Sequence, residues 1–325
     1  LRAAASRLAL TMGAQGQDLV FVDNATSGMN AVLRSLDLGA GAEILATSHG
    51  YGAVAKTLAY VAARTGARVT LAAIPFPVAG EEEILAAIAA AFTAHTRLLV
   101  IDHVTSPTAL ILPLARIAAF ARERGVLVLV DGAHTPGMLE LDLPALGVDW
   151  YVGNCHKWLM APKGAGFLWA ANGAQAGLHP PVISHGFGAG FTAEFDWTGT
   201  RDPGAWLGVV AALDFLDELG PARVRAHNRA LLLDAVRLLN DAWWTPIGGP
   251  PDLLGAMATI GLPPALSEGR PAREEESRRL TASWRERHGI EVPAVAFAGR
   301  WWVRISAQVY NELDDYRRLA ALIEA

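Results

Sequence analysis

The sequence predicts an α/β protein: a mostly parallel sheet sandwiched by helices, followed by a smaller C-terminal α+β domain. Short runs rich in Val, Leu and Ile alternate with stretches at helical spacing through the first two-thirds of the chain. Those runs are almost continuously apolar, as strands covered on both faces are. Beyond about residue 215 the texture changes to Arg-rich helical stretches, a Gly- and Pro-rich segment and short alternating runs. The expected division is a large α/β domain over 1–215 and a small α+β domain over 216–325.

Taken in order, DLVFV (18–22) reads as a strand, followed by a polar turn and the helix-like SGMNAVLRSL. AEILAT (42–47) leads into YGAVAKTLAYVAARTG, whose apolar residues recur at helical spacing up to a glycine stop. ARVTLAAI, TRLLVID, GVLVLVD and VDWYVG read as further strands, with EEEILAAIAAAF and LARIAAFARERG as helices between them. In the C-terminal part RVRAHNRALLLDAVRLLNDA is helical and TPIGGPPDLLG interrupts it. WWVRISAQVY (301–310) alternates as a strand, and DDYRRLAALIEA closes the chain as a helix. A ligand of such a sheet is expected beyond the carboxyl ends of its strands.

Composition narrows the function. The 325 residues are 52% hydrophobic and 18% charged, which fits a globular enzyme rather than a solvating chain. A net charge of −5 with no basic stripe argues against a nucleic-acid partner. No apolar run approaches the roughly 20 residues that span a bilayer, so no membrane partner is expected. The single cysteine leaves no internal disulfide framework and, with no signal-peptide pattern, points to a cytoplasmic protein. The sequence opens at Leu1 without a methionine, in what reads as mid-helix, so the natural N-terminus is expected upstream.

Three polar clusters stand out against this apolar background. The chain has 24 arginines and only three lysines, two of them in GNCHKWLMAPKGAGFLW (153–169). Arginine serves for positive charge nearly everywhere, yet Lys157 stands between a histidine and a tryptophan. An amine in a partly desolvated crevice can lose its proton and attack a carbonyl, which a guanidinium cannot do. Lys157 therefore reads as an imine-forming lysine. Asp131 ends the strand GVLVLVD, and His134 follows it; a carboxylate there suits the pyridinium nitrogen of pyridoxal phosphate (PLP). In DNATSGMNAVL, Thr26 and Ser27 stand at a helix start, where free N–H groups and the dipole favour a phosphate. Taken singly, Thr26 and Ser27 read as an ordinary N-cap and Asp131 as a strand-end acid; together the three clusters point to PLP.

The stretches DNATSGMNAVLRSL, TSHGYGA, DHVTSPTALILP, LVDGAHTPG, GNCHKWLMAPKGAGFLW, EFDWTGTRDP and VRISAQVYN resemble the class V aminotransferase family. These are PLP-dependent transferases of fold type I, and the likeness is to the isopenicillin N epimerase-like branch. The resemblance implies that Lys157 carries the cofactor, that Asp131 pairs with its pyridine nitrogen and that His134 reaches its ring oxygen. It implies phosphate contacts from Thr26, Asn154 and His156, with Ser27 beside them at the helix start. Thr200, in DWTGTRD, would reach the phosphate of a neighbouring subunit, which implies a homodimer with shared active sites. Arg304 would grip the carboxylate of a small amino-acid substrate, with Ser106 beside it. His49 lies where relatives place a residue over the cofactor ring, with Tyr51 as an alternative. For Arg201 a structural salt bridge and a substrate contact both stand, and His103, His179 and His185 read mostly as structural. Family members also carry an N-terminal segment, absent here, that helps wall the active site.

The expected reaction is epimerisation at Cα, with Lys157 serving one face and His49 the other, or Tyr51 in reserve. If His49 only stacks on the ring, that second role is vacant. A Cβ–S lyase or an aminotransferase is the alternative. A persulfide-forming desulfurase is disfavoured, since residues 285–303 hold no cysteine. The context for GxGxxG is wrong, and GxSxG and HExxH are absent, against a nicotinamide enzyme, an α/β-hydrolase and a zinc site. No metal is expected. A non-enzymatic binding module would be expected to lose the lysine or the acid.

Overall fold

The apolar runs of the first 170 residues form one seven-stranded sheet in the computed structural model, which describes residues 1–323. Its strands are β1 (Leu19–Val22), β2 (Glu43–Thr47), β3 (Arg68–Ala72), β4 (Thr96–Asp102), β5 (Leu127–Gly132), β6 (Trp150–Asn154) and β7 (Gly166–Ala170). They lie in the order β1-β7-β6-β5-β4-β2-β3. The pairs β6–β5, β5–β4, β4–β2 and β2–β3 are parallel, and β7 is antiparallel to both β6 and β1. Every strand but β7 therefore runs the same way. The reversal has a simple cause: a parallel return needs a crossover of a dozen or more residues, usually a helix. The loop after β6 contains no helix.

Helices α1 (Arg2–Leu10), α2 (Ala25–Ser35), α3 (Gly52–Thr65), α4 (Glu81–Ala91), α5 (Leu114–Arg122), α6 (Phe191–Asp196) and α7 (Gly204–Leu219) accompany the sheet. The glycine stop of α3 is Gly66, at φ 76°, the left-handed conformation that closes a helix at little cost. α2 packs so close to β6 that a Cβ on Gly28 would lie 2.5 Å from Val152 Cγ1. Val20, Met29, Leu33, Ile44, Leu98 and Val152 belong to the core formed there.

The described chain forms two units. One contains Leu1–Ile74, Leu85–Val104 and Leu112–Pro221; the other contains Pro75–Ile84, Thr105–Ile111 and Ala222–Ala325. The break falls after Pro221 rather than after residue 215, because α7 continues to Leu219. Two segments from within 1–215 also join the second unit. Val78 donates its N–H to Gly248 at 3.0 Å, and Ile111 donates to Leu253 at 2.8 Å.

The second unit has α8 (Pro221–Trp243), β8 (Met257–Gly261), α9 (Glu274–His288), β9 (Ala294–Phe297), β10 (Arg300–Ser306) and α10 (Leu313–Ala320). Its sheet is antiparallel, in the order β8-β10-β9. Leu232, Leu239, Ile260, Trp284 and Val303 fill its core. The strand expected over 301–310 ends at Ser306, whose carbonyl accepts from the Tyr316 hydroxyl at 2.6 Å. The last two residues of the expected closing helix, 324 and 325, lie outside the described residues.

Candidate active site

In an open parallel sheet the ligand crevice lies at the carboxyl ends of the strands. The residues just past those ends are Asn24–Ser27 after β1, His49 after β2, His134 after β5 and Cys155–Lys157 after β6. Asp102 and Asp131 lie at the carboxyl ends of β4 and β5 themselves. Sequence positions far apart thus converge at one edge.

The centre of the site is Lys157. Its Nζ lies 3.1 Å from Nε2 of His134, and the Trp158 indole N–H donates to Nδ1 of the same ring at 3.4 Å. His134 and Trp158 are buried, whereas Lys157 is exposed. Lys157 is therefore less enclosed as a residue than the expected crevice would make it, and a buried imidazole meets its amine.

Asp131 and Asp102 are buried and stand directly opposite each other across β5 and β4. Burial pushes both carboxyls upward, and the neighbouring Asp131 charge pushes Asp102 further. Asp131 is eased back by the Ala133 N–H, which donates to Oδ1 at 3.0 Å. The two acids therefore share a buried site that disfavours a charge on either of them. Asp131 Oδ2 takes no donor among the described residues.

At the start of α2 the cap is Asn24, whose side-chain oxygen accepts the Ser27 N–H at 2.9 Å. Thr26 and Ser27 therefore lie inside the first turn. Asn154, at the end of β6, accepts the Ala25 N–H at 2.8 Å and ties strand to helix. The Thr26 N–H meets no acceptor among the described residues, so the helix start keeps a donor for an anion. His156 donates from Nδ1 to the Ala165 carbonyl at 2.8 Å, and burial holds its pKa below the usual value. A buried acid at one strand end, an amine at the next and an open helix start fit a cofactor with a basic ring nitrogen, an aldehyde and a phosphate.

Other expected residues fall elsewhere. His49 is fully buried; its Nε2 lies 3.1 Å from the Ile74 carbonyl, and burial pulls its pKa down to about 4. A ring with no open surface cannot exchange a proton with a ligand, which counts against the catalytic role expected of it. Tyr51, the cap of α3, is exposed. Thr200 is exposed, and its neighbour Arg201 pairs with Asp23 and stacks on the Trp206 ring at 3.9 Å, a structural role. His103 binds the Tyr151 hydroxyl at 2.8 Å and His179 binds Glu194 at 2.6 Å. In the second unit Arg304 donates from one nitrogen to both the carbonyl and the hydroxyl of Ser106. Cys155 is fully buried, and burial pushes its thiol far up, so it offers no nucleophile.

Sequence reasoning passed over Asp102 and Trp158 as site residues. Asp102 ends its strand just as Asp131 does, and that parallel was the available signal.

A seven-stranded sheet with one reversed strand and a lysine loop after β6 defines a fold-type I PLP-dependent enzyme. The chain belongs to the aminotransferase class-V family, whose pattern it matches over residues 1–250; enzymes of this family use PLP. It is 36% identical over 336 residues to an isopenicillin N epimerase of Streptomyces clavuligerus, covering 98% of this chain and 82% of that one. It is 33% identical over 336 residues to a putative L-cysteine desulfhydrase of Oryza sativa subsp. japonica, covering 93% and 69%. Among solved structures, the cystine C-S lyase C-DES with its product cysteine persulfide superposes with a TM-score of 0.82. It is 23% identical, over 99% of this chain and 86% of that one, a likeness of fold alone.

Proposed function

We propose that this chain is a PLP-dependent enzyme that removes the Cα proton of a small amino acid through Lys157 and then releases a sulfur substituent from Cβ. The observation that carries the reading is the Lys157 amine set 3.1 Å from His134, with the buried Asp131 acting on its charge. Asp131 would hold the ring nitrogen protonated, and His134 would face the ring oxygen. The start of α2 with Thr26, Ser27, Asn154 and His156 would hold the phosphate. When bound, the cofactor supplies an electron sink for the charge left on Cα. Lys157 Nζ takes the proton from Cα and can return it, or pass it to the leaving sulfur. Arg304 is assigned the substrate carboxylate, with Ser106 orienting its guanidinium.

One base suffices for elimination, whereas inversion at Cα needs a second proton-transfer group on the other face. His49 was the candidate for that group, and its burial withdraws the support. Several L-cysteine desulfhydrases are among the relatives, which favours elimination over transamination. Epimerisation stands as the second reading, on the strength of 36% identity to an isopenicillin N epimerase; the exposed Tyr51 would then be the second group. The test is a scan of amino acids in deuterated water. Sulfide and a 2-oxo acid released from cysteine, or a persulfide and a 2-oxo acid released from cystine, support the reading. An inverted centre carrying deuterium at Cα, or dependence on an added 2-oxo acid, overturns it.

A further inference from the structure

We propose that Trp158 is a positioning residue that keeps Lys157 uncharged by fixing the tautomer of His134. The role assigned to it rests on Lys157 being the reactive amine; the tautomer does not.

An indole N–H can only donate. The Trp158 N–H points at His134 Nδ1 from 3.4 Å, so that nitrogen carries a lone pair. The proton of the neutral ring then sits on Nε2. Nε2 in turn faces Lys157 Nζ at 3.1 Å. An N–H directed at an amine nitrogen needs a lone pair there, and an ammonium group has none. The chain from indole through imidazole to amine therefore has one consistent protonation, with Lys157 neutral. Moving the ring proton to Nδ1 would admit an ammonium group but set two N–H groups against each other at the indole. An imidazolium would meet the same conflict.

The surroundings show why such a device is needed. Asp131 on β5 and Asp102 on β4 interact with Lys157 and favour its charged form, whereas His156, on the lysine's own loop, opposes it. Lys157 is also exposed, so burial does not discharge it. A handle that acts on it directly is the hydrogen bond from His134. The geometry is built into the backbone as well. Gly137, three residues after His134, adopts φ 87°, and a Cβ there would lie 2.4 Å from the Trp158 carbonyl oxygen. The two loops are thus held in contact where indole and imidazole meet. The Nε2–H that faces the amine is also the donor a cofactor ring oxygen would require.

The experiment uses cofactor-free protein labelled with ¹⁵N in histidine, with the His134 signals identified by their loss in His134→Asn. At neutral pH the wild type should show an unprotonated Nδ1 and a protonated Nε2. In Trp158→Phe, which keeps an aromatic ring but no N–H, the Nδ1–H or doubly protonated form should appear. The pH midpoint for borohydride trapping of PLP on Lys157 should rise by about one unit, a loss of roughly tenfold in neutral amine. A wild-type His134 protonated on Nδ1 overturns the proposal, as does a Trp158→Phe protein with unchanged tautomer and midpoint. If Trp158→Phe does not fold, the wild-type spectrum decides. A failed search for sulfide release would defeat the lyase reading and leave this result standing.

Discussion

Glu43 and Asp131 are both buried carboxylates, and their environments push them in opposite directions. Burial alone would raise Glu43, but hydrogen bonds from Thr96, Thr70, Thr93 and Arg68 win and bring its pKa from 4.5 down to about 2. A folded pKa below the unfolded one contributes stability that is present above pH 4.5 and lost as the pH falls through about 2. Glu43→Ala should therefore cost about 1–3 kcal/mol near neutral pH, because three threonine hydroxyls lose their acceptor. Urea unfolding at neutral and at strongly acid pH checks this, and an equal loss at both would refute it. Asp131 lacks such a set of donors: among the described residues its side chain accepts from the Ala133 N–H alone. Asp131→Ala should cost about 3–4 kcal/mol of transition-state stabilisation, roughly two to three powers of ten in turnover, with PLP still bound. Near-normal turnover would remove Asp131 from the ring nitrogen. For Lys157, borohydride reduction and peptide mapping should place the pyridoxyl group there, and a label on Lys56 or Lys163 would sink the assignment.

Strands β4 and β5 bring two acids into register, and that pairing has its own consequence. Asp102 has a folded pKa well above 3.8, so the folded state binds the extra proton between the two values. Stability therefore falls as the pH rises through that window, and the penalty is complete above the folded value. Asp102→Asn cannot ionise, so it should raise the unfolding midpoint of cofactor-free protein by roughly 2–4 °C at neutral pH. Below pH 3.8 the gain should vanish; a scan showing no gain at neutral pH would mean that Asp102 is not strained. The strands themselves were legible because Val, Leu and Ile runs end in polar residues, and Lys157, Asp131 and Thr26 were found at those ends. β7 was not legible as a strand, since its residues GFLWA close the lysine motif and its direction depends on the preceding loop. The burial of His49 was hidden too, because it depends on the Ile74 carbonyl, far away in sequence. The same holds for Trp158 and His134, which meet only once two loops fold together. Segments 75–84 and 105–111 join the second unit through backbone bonds to residues near 250, which no local pattern announces.

At the scale of the whole molecule, the stretch between β7 and α7 carries apolar side chains that a lone chain leaves in water. Val182, Ile183, Phe187 and Trp197 are 58%, 55%, 61% and 49% exposed. Exposed apolar side chains this close in sequence are what a second copy of the chain would cover. The stretch ends at Thr200, exposed beside an Arg201 that is anchored to Asp23 ahead of α2. A second copy covering this surface would bring Thr200 toward a site other than its own, as the family resemblance implies. Sedimentation should then give the mass of two chains, and Phe187→Glu should shift it toward one. Lys157→Ala and Thr200→Ala proteins should each be impaired alone. In a mixture that exchanges subunits, half of the dimers are mixed, and each holds one site with an intact lysine and an intact threonine. Activity should then recover to about a quarter of the wild-type level. A single-chain mass, or no recovery in a mixture shown to have exchanged, would confine Thr200 to its own subunit.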